Sequence, residues 1–315
     1  MGGLCGRRRN DNYDMDVTTH GSGWGVSTST KKTGLFAFFQ QIMNSELIIR
    51  FLFFQADTKL INLKQAIIKT MKKEDHDDGS LGPIFIRLAW HSCATYDVST
   101  KTGGSSAGAT MRFPPEANDP ENIGLELARR ALDPVHDEFP WISIADLWIL
   151  AGTMAIEELG GPKVEVRFGR KDHPGPESPI QPGRIPNPEY GLETGVTEDN
   201  KLKNWQKLAA YIRAKFDRMG FIDQEAVALV CGGHVFGRCH VDNSGYAGAW
   251  VENPLEFSNE FAADLVGDDW RLVDGSDEKD RKEIPAAVCP VAGKRQYVSK
   301  PHDKHPQMML PSDMM

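Results

Sequence analysis

Residues 82–97 read GPIFIRLAWHSCATYD, and the pattern of this stretch decides the fold class. Its apolar residues recur at helical spacing and Pro83 suits a first helical turn, so we predict a helix that begins near Pro83. Arg87, Trp90 and His91 are spaced i, i+3 and i+4, which places a cation, an indole and an imidazole on one face of that helix. From chemistry alone, the favoured explanation of this face is the solvated polar edge of an amphipathic helix.

The rest of the chain is mainly helical by pattern, with long loops rich in Gly, Ser and Pro. Ser143 and Asp146 form a capping pair at the start of one helix, and Asp223 is predicted to cap another. No internal repeat is visible, and the helical signal weakens after Trp250. The predicted helices cover residues 57–73, 83–94, 121–131, 143–159, 201–218, 224–234 and 257–266.

Composition narrows the classes of partner and the compartment. The chain has 315 residues, of which 40% are hydrophobic and 25% charged, as in ordinary globular proteins. A net charge of -8 argues against nucleic acid as a partner and leaves a cationic protein open. The five cysteines are odd in number and form no close pair, which indicates reduced thiols. We therefore expect an intracellular protein, in the cytoplasm or in an organelle such as the mitochondrion, that is not secreted.

The N-terminal part differs in character from the rest. Residues 1–50 are expected to be a disordered or atypical leader, because most of them are polar and rich in Gly, Ser and Thr. Residues 35–54 contain the longest apolar run, but Gln40, Glu46 and Arg50 interrupt it. A buried or interfacial helix is therefore favoured over a membrane anchor, and no membrane span is expected.

The quoted helix resembles the distal helix of the class I haem peroxidases, the family that includes cytochrome c peroxidase and ascorbate peroxidase. The resemblance implies a mainly α haem peroxidase fold over residues 57–315. One haem b per chain would lie between a distal half at about 57–170 and a proximal half at about 200–315. The family continues into further helices after this chain stops, so the chain is expected to be truncated at its C-terminus. The motifs that continue the resemblance are TGGSSAGATMRF, NDPENIGL, EFPWISIADLWILAG, GGPKVEVRFGRKD, DQEAVALVCGGHVFGRCHVDNSGYAGAW and MMLPSD.

On the distal side, the resemblance implies reduction of hydrogen peroxide to water through a ferryl intermediate. His91 would take a proton from peroxide and return it to the leaving oxygen, and Arg87 would stabilise the negative charge that develops as the O–O bond breaks. Trp90 would close the pocket over the iron. Asn122 would accept a hydrogen bond from His91 and so fix its tautomer, with the Glu116 carboxylate in the same network.

On the proximal side, the resemblance implies that His234 is the axial ligand of the haem iron and that His240 lies near a haem propionate. Asp313 would accept the second ring N–H of His234 and make this ligand more electron-rich. Trp250, sixteen residues after His234, matches the indole that receives the electron in cytochrome c peroxidase. Without the family, His234 is equally a histidine at a helix end, and Asp313 is a solvated charge near the last residue.

The resemblance does not point to a single electron donor, so we compare the positions at which the cytochrome c and ascorbate enzymes differ. Asn243 stands where the ascorbate enzymes carry an Arg, and it matches cytochrome c peroxidase. Val235, Val251 and Ser258 stand where the ascorbate enzymes bind a cation, and only Asn253 fits that site. A second cation site is therefore not expected.

Two further features point in opposite directions. The acidic run Glu74, Asp75, Asp77 and Asp78 lies where cytochrome c peroxidase faces its basic partner, although a solvated loop explains such runs equally well. The sequence WVENP after Ala249 looks more like the ascorbate enzymes. We favour cytochrome c over a small reductant such as ascorbate. The alternatives are a haem-binding peroxide sensor with little turnover and a structural protein that has lost haem.

Overall fold

The computed structural model describes residues 57–192, 198–299 and 306–315, with the backbone alone for residues 198–203. From Lys59 to Met315 the chain forms one compact unit. The predictions for the leader and for residues 35–54 lie outside the described residues. No helix within the described ranges combines the length and the apolar character that a bilayer crossing requires.

Helices dominate the described ranges, so the predicted mainly α class is confirmed. The helices are α1 (residues 57–71), α2 (Gly82–Ala94), α3 (Leu125–Glu138), α4 (Ile144–Glu158), α5 (Glu198–Met219), α6 (Asp223–His234), α7 (Glu260–Gly267) and α8 (Glu278–Glu283). The strands are β1 (Arg238–Cys239), β2 (Gly248–Ala249), β3 (Trp270–Asp274), β4 (Arg295–Ser299) and β5 (Met308–Met309).

Helices α1 to α4 pack around an apolar core that supports α2. Leu63 of α1 and Phe85 and Leu88 of α2 are fully buried in this core. Burial of a side chain of this size contributes about 1.5–3 kcal/mol. α2 and α4 approach so closely that a Cβ on Gly152 would overlap the Cβ of Ala89, which is why a glycine stands there. The packing of α2 against α4 therefore fixes the position of the helix face that carries Arg87 and His91.

The helix predicted at residues 121–131 begins later than expected. Pro120–Asn122 forms a 3₁₀ turn, and α3 begins only at Leu125. Gly124 separates them with a φ of 86°, a conformation that favours glycine. A Cβ at this position would also lie 2.8 Å from Nδ2 of Asn243. The break leaves Asn122 outside a regular helix, where its side chain is free to reach α2.

Asp223 is the first residue of α6 and not its cap, so that prediction is wrong. Ile222 occupies the N-cap position, and its N–H donates to the Glu225 carboxylate at 3.1 Å. Asp223 instead pairs with Arg213 of α5 at 2.9 Å. The predicted capping pair at α4 is confirmed, because the Ser143 hydroxyl accepts from the N–H of Asp146.

Two small antiparallel sheets position the second half of the site. β1 pairs with β2, with Arg238 opposite Ala249, and this pairing returns the chain so that Trp250 lies beside the end of α6. The sheet in the order β3-β4-β5 was not predicted. Its last strand, β5, leads directly into the 3₁₀ turn Pro311–Met314, which carries Asp313. This sheet therefore holds the last residues of the chain against α6.

Candidate active site

A cavity of about 540 Å³ brings the predicted site residues together. Its volume falls within the range of about 300–1,000 Å³ that is typical of cofactor sites. Apolar side chains from α2, α5 and α6 form much of its lining. Of the residues predicted for the distal network, Asn122 and Glu116 do not line the cavity. The predicted residues that line the cavity are Arg87, Trp90, His91, His234, His240, Trp250 and Asp313.

His91 is held by one well-defined hydrogen bond. Its Nδ1 lies 2.9 Å from Oδ1 of Asn122, and both side chains are buried. Because the amide oxygen only accepts, Nδ1 carries the proton and Nε2 keeps its lone pair. Burial, followed by the positive charge of Arg87, lowers the pKa of His91 to about 3. The imidazole is therefore neutral and able to accept a proton at physiological pH.

The Asn122 side chain donates a hydrogen bond to a different group of Glu116 from the one that was expected. Its Nδ2 donates to the backbone carbonyl of Glu116 at 2.9 Å, and not to the Glu116 carboxylate. That carboxylate accepts instead from the hydroxyl of Ser178 at 2.6 Å. The distal network thus runs through the main chain of Glu116, because the carboxylate points towards another loop.

One short turn also fixes Arg87. The guanidinium donates to the backbone carbonyls of Ile123 at 3.0 Å and of Glu121 at 2.8 Å, so its orientation is set by the main chain. The buried carboxylate of Asp119 secures this turn by accepting the N–H of Glu121 at 3.0 Å and that of Gly183 at 2.8 Å. Sequence reasoning missed Asp119; its signal is an Asp before Pro, a common way to begin a turn.

Trp90 forms part of the cavity wall on the α2 side. Its indole stacks on Phe216 of α5, with ring centroids 5.9 Å apart and planes at 26°. This contact fixes the plane of the indole, and aromatic pairs of this kind contribute about 0.5–1.5 kcal/mol beyond their buried area. The wall that Trp90 forms is therefore rigid.

His234 stands at the C-terminal end of α6 with Asp313 behind it. Nδ1 of His234 lies 3.0 Å from Oδ1 of Asp313. The ring N–H is not well aligned with this oxygen, so both atoms lack a properly directed hydrogen bond within the described residues. The carboxylate oxygen nevertheless lies at contact distance from the ring nitrogen, as it does behind a metal-binding histidine.

Asp313 joins three groups at this place. Its Oδ2 accepts the indole N–H of Trp250 at 2.8 Å and the backbone N–H of Leu310 at 2.8 Å. The His234 and Trp250 rings stack at 4.4 Å. The Asp313 side chain is only 1% exposed, so its interpretation as a solvated terminal charge is wrong. The buried carboxylate couples the histidine to the indole.

We predict that Asp313→Ala lowers the free energy of unfolding by about 2–6 kcal/mol, because each of two buried N–H donors left without an acceptor costs about 1–3 kcal/mol. Urea unfolding of the protein without added haem measures this change. Asp133→Ala, an exposed position on α3, is the control and should change stability by less than about 0.5 kcal/mol. Equal stability of the Asp313 and Asp133 variants would contradict the burial of this carboxylate.

The acidic run at residues 74–78 is partly paired within the chain. Nε2 of His240 lies 2.7 Å from Oδ1 of Asp77, and this hydrogen bond raises the pKa of His240. Asp78 forms an ion pair with Arg238 at 2.5 Å. These pairs reduce the negative charge that a basic partner would meet. They also tie the loop before α2 to β1 at the edge of the cavity.

The cysteines near the cavity carry no metal-binding signature. Burial raises the pKa of the Cys239 thiol to about 12, so it stays protonated, as expected of a side chain that only packs. Cys231 lies one turn before His234, and burial raises its pKa as well. Within the described ranges, no group of three or more His, Cys, Asp or Glu side chains is placed to hold a metal ion.

The donor set fits a haem. A single histidine with a carboxylate behind its Nδ1 suits axial ligation of iron, and the mainly apolar lining suits a flat macrocycle. A lone imidazole without further protein ligands does not suit a bare divalent ion, which requires several ligands.

Comparisons with known proteins agree on one family. A family model described as "Peroxidase" matches residues 63–271, which is more than half of the chain. A protein of Aspergillus fumigatus named "Putative heme-binding peroxidase" is 44% identical over 255 residues, covering 80% of this chain and 69% of its own. A "Putative cytochrome c peroxidase, mitochondrial" of Yarrowia lipolytica is 47% identical over 210 residues, covering 67% of each chain. The "Cytochrome c peroxidase, mitochondrial" of Emericella nidulans is 46% identical over 207 residues, covering 65% of this chain and 52% of its own.

Proposed function

Because the chain belongs to the peroxidase family, as a class I haem peroxidase that uses hydrogen peroxide as its oxidant, we propose that it reduces peroxide to water with one haem b held in the cavity. The observation that carries this proposal is the meeting of two assemblies at one cavity. One is His91 with Asn122 and Arg87, and the other is His234 with Asp313 and Trp250. When bound, the haem supplies cleavage of the O–O bond and holds the two oxidising equivalents.

The chain's own residues would manage the protons and the charge. Nε2 of His91 accepts a proton from peroxide, because Nδ1 is committed to Asn122, and later returns it to the leaving oxygen. The Arg87 guanidinium stabilises the negative charge that develops on that oxygen. His234 would bind the haem iron, and the Asp313 carboxylate beside its Nδ1 would orient the imidazole and make it more electron-rich. His240 would lie near a propionate, with its charge favoured by Asp77.

We predict that the rate of reaction with peroxide shows no loss as the pH falls through 6.5. A protonated imidazole cannot accept a proton, so the rate falls only below the pKa of His91, which is about 3. Arg87→Leu removes the neighbouring positive charge and should move this acid limb to higher pH, besides slowing the reaction. Stopped-flow rates of the Soret change between about pH 2.5 and pH 8 measure both effects. An inflection near 6.5 in the unaltered protein would contradict the lowered pKa.

The donor we propose is cytochrome c, with ascorbate as the alternative. Two relatives are named cytochrome c peroxidases, and this supports the proposal. The Asp313 carboxylate at 2.8 Å from the indole nitrogen favours a positive charge on Trp250. The buried Val235 and Val251 do not supply ligands for a second cation, which would oppose that charge. The internal pairs of Asp77 and Asp78 argue in the other direction, since they weaken an acidic docking surface.

Steady-state turnover with reduced cytochrome c and with ascorbate tests this choice. The proposal expects two cytochromes oxidised for each peroxide, and slower turnover with ascorbate. Faster turnover with ascorbate than with cytochrome c would identify ascorbate as the better donor and contradict our choice of cytochrome c. A Soret change with peroxide but no turnover with either donor would favour a peroxide sensor. The mitochondrial names of two relatives lead us to propose an organelle location, which imaging of the tagged full chain tests.

A further inference from the structure

We propose that the stacked pair of Tyr190 and Tyr211 is a second oxidation site, at which small phenols give up electrons at the protein surface. The inference rests on the proposed function, since the oxidant is the haem after its reaction with one hydrogen peroxide. The site would serve donors that do not enter the cavity. It lies apart from Trp250 and uses a different set of residues.

The two rings form a close and parallel contact. Their centroids are 3.8 Å apart and their planes differ by 10°. Tyr190 is 53% exposed, whereas the other tyrosines in the described ranges are buried or partly buried. Tyr211 is partly buried on α5. The pair therefore runs from the interior to a ring face that a solvent-borne aromatic molecule can touch.

A chain of hydrogen bonds joins this pair to the cavity. The Tyr211 oxygen accepts the N–H of Asn187 at 3.2 Å, and the Asn187 side chain donates to the Glu121 carboxylate at 2.9 Å. The Glu121 carbonyl in turn accepts from the Arg87 guanidinium at 2.8 Å. Arg87 lines the cavity. The path from cavity to phenol is thus continuous through covalent and hydrogen bonds.

Sequence neighbours of both tyrosines form the cavity wall. Ile212, next to Tyr211 on α5, lines the cavity, and so does Pro188, two residues before Tyr190. Both tyrosines are therefore close along the chain to residues of the cavity wall. Electrons that pass from Tyr211 to a haem in the cavity would cross this wall.

Charge and burial assign different roles to the two rings. Nζ of Lys215 lies 4.9 Å from the Tyr211 ring centre, and this cation disfavours an electron hole on Tyr211 relative to Tyr190. Burial raises the pKa of the Tyr211 phenol. The Tyr190 ring is exposed, so water is available to take the proton that it loses on oxidation. The hole is therefore expected to reside on Tyr190 as a neutral radical, with Tyr211 as the relay.

The electrons and protons balance as follows. Tyr190 gives one electron through Tyr211 to the peroxide-oxidised haem and one proton to water. A phenol at the surface transfers a hydrogen atom to the Tyr190 oxygen and leaves as a phenoxyl radical. Two such cycles restore both electrons that one peroxide removed. Without a donor, the neutral Tyr190 radicals of two chains couple at ring carbons, and the two ring hydrogens return to the phenol oxygens by tautomerisation to give dityrosine.

The test uses the full chain loaded with haem in a Tyr13→Phe background, because Tyr13 lies outside the described residues. Peroxide is added without a donor, and dityrosine fluorescence, covalent dimers on a denaturing gel and the Soret band are recorded together. The variants Tyr190→Phe and Tyr211→Phe keep the stacked rings and remove the phenols. Tyr297→Phe is the matched control, since this ring packs on Trp205 and is not part of the pair.

We expect dityrosine in the parent protein, its loss in Tyr190→Phe, a reduced yield in Tyr211→Phe and no change in Tyr297→Phe. The kcat/KM for guaiacol, a small phenol, should fall by about tenfold in Tyr190→Phe. Dityrosine that persists in Tyr190→Phe, or its absence in a parent whose Soret band responds to peroxide, would overturn the second site. A Soret band that does not respond would overturn the proposed function as well.

Discussion

Replacing His91 by Leu is expected to slow the reaction of the haem-loaded protein with peroxide by a factor of about 10²–10⁴ or more, which is what general acid–base catalysis contributes. Leu has a volume similar to that of His, and the substitution removes the neutral imidazole that Asn122 orients for proton transfer from peroxide. Haem binding should persist, because His234 and Asp313 are untouched. Stopped-flow measurement of the Soret change at several peroxide concentrations gives the rate constant.

His136→Leu serves as the matched control for this variant. His136 also lies on a helix, α3, but it does not line the cavity. Its replacement should leave the peroxide rate unchanged. If the His91 and His136 variants reacted at the same rate as the unaltered protein, the proton transfer assigned to His91 would be wrong.

Trp250→Phe is expected to abolish oxidation of cytochrome c while the Soret change with peroxide stays intact. The variant retains a ring to stack on His234 but lacks the indole that would pass the electron. Asp313 keeps its hydrogen bond from Leu310, so the fold around it should survive. Turnover with reduced cytochrome c and the peroxide reaction are measured on the same sample.

Trp270→Phe is the control for the loss of an indole. The Trp270 N–H also donates a hydrogen bond, to the Asp264 carbonyl at 3.2 Å, but this residue does not line the cavity. Cytochrome c turnover should be normal in this variant. Equal turnover in the Trp250 and Trp270 variants would exclude Trp250 as the route of the electron.

The distal half of the site follows closely from sequence. Arg87, Trp90 and His91 lie within one turn of one helix, so local periodicity alone places them on one face. The resemblance supplied the contact between His91 and Asn122, which no periodicity predicts across 31 residues, and the structure has it at 2.9 Å. The route through the carbonyl of Glu116 was missed, because residue identity does not tell whether a side chain or its backbone makes a bond.

The proximal half of the site depends on short strands that local sequence patterns do not predict. Short strands with long connections give weak local signals, so the β3-β4-β5 sheet was not predicted. Without that sheet, no local pattern in the sequence shows that Asp313, two residues from the last residue, is buried beside Trp250, and only the resemblance placed it behind His234. The pairing of Asp77 with His240 and of Asp78 with Arg238 could not be predicted from sequence patterns either, since the partners lie about 160 residues away in the chain.

The most direct test of the central claim is the absorption spectrum of the full chain during titration with haem, followed by one equivalent of hydrogen peroxide. The account predicts a Soret band that saturates at one haem per chain, is lost in His234→Ala, and shifts at once when peroxide is added. Absence of a Soret band would contradict the assignment of the cavity to haem, and a band that does not respond to peroxide would contradict the assignment of His91 and Arg87 to catalysis.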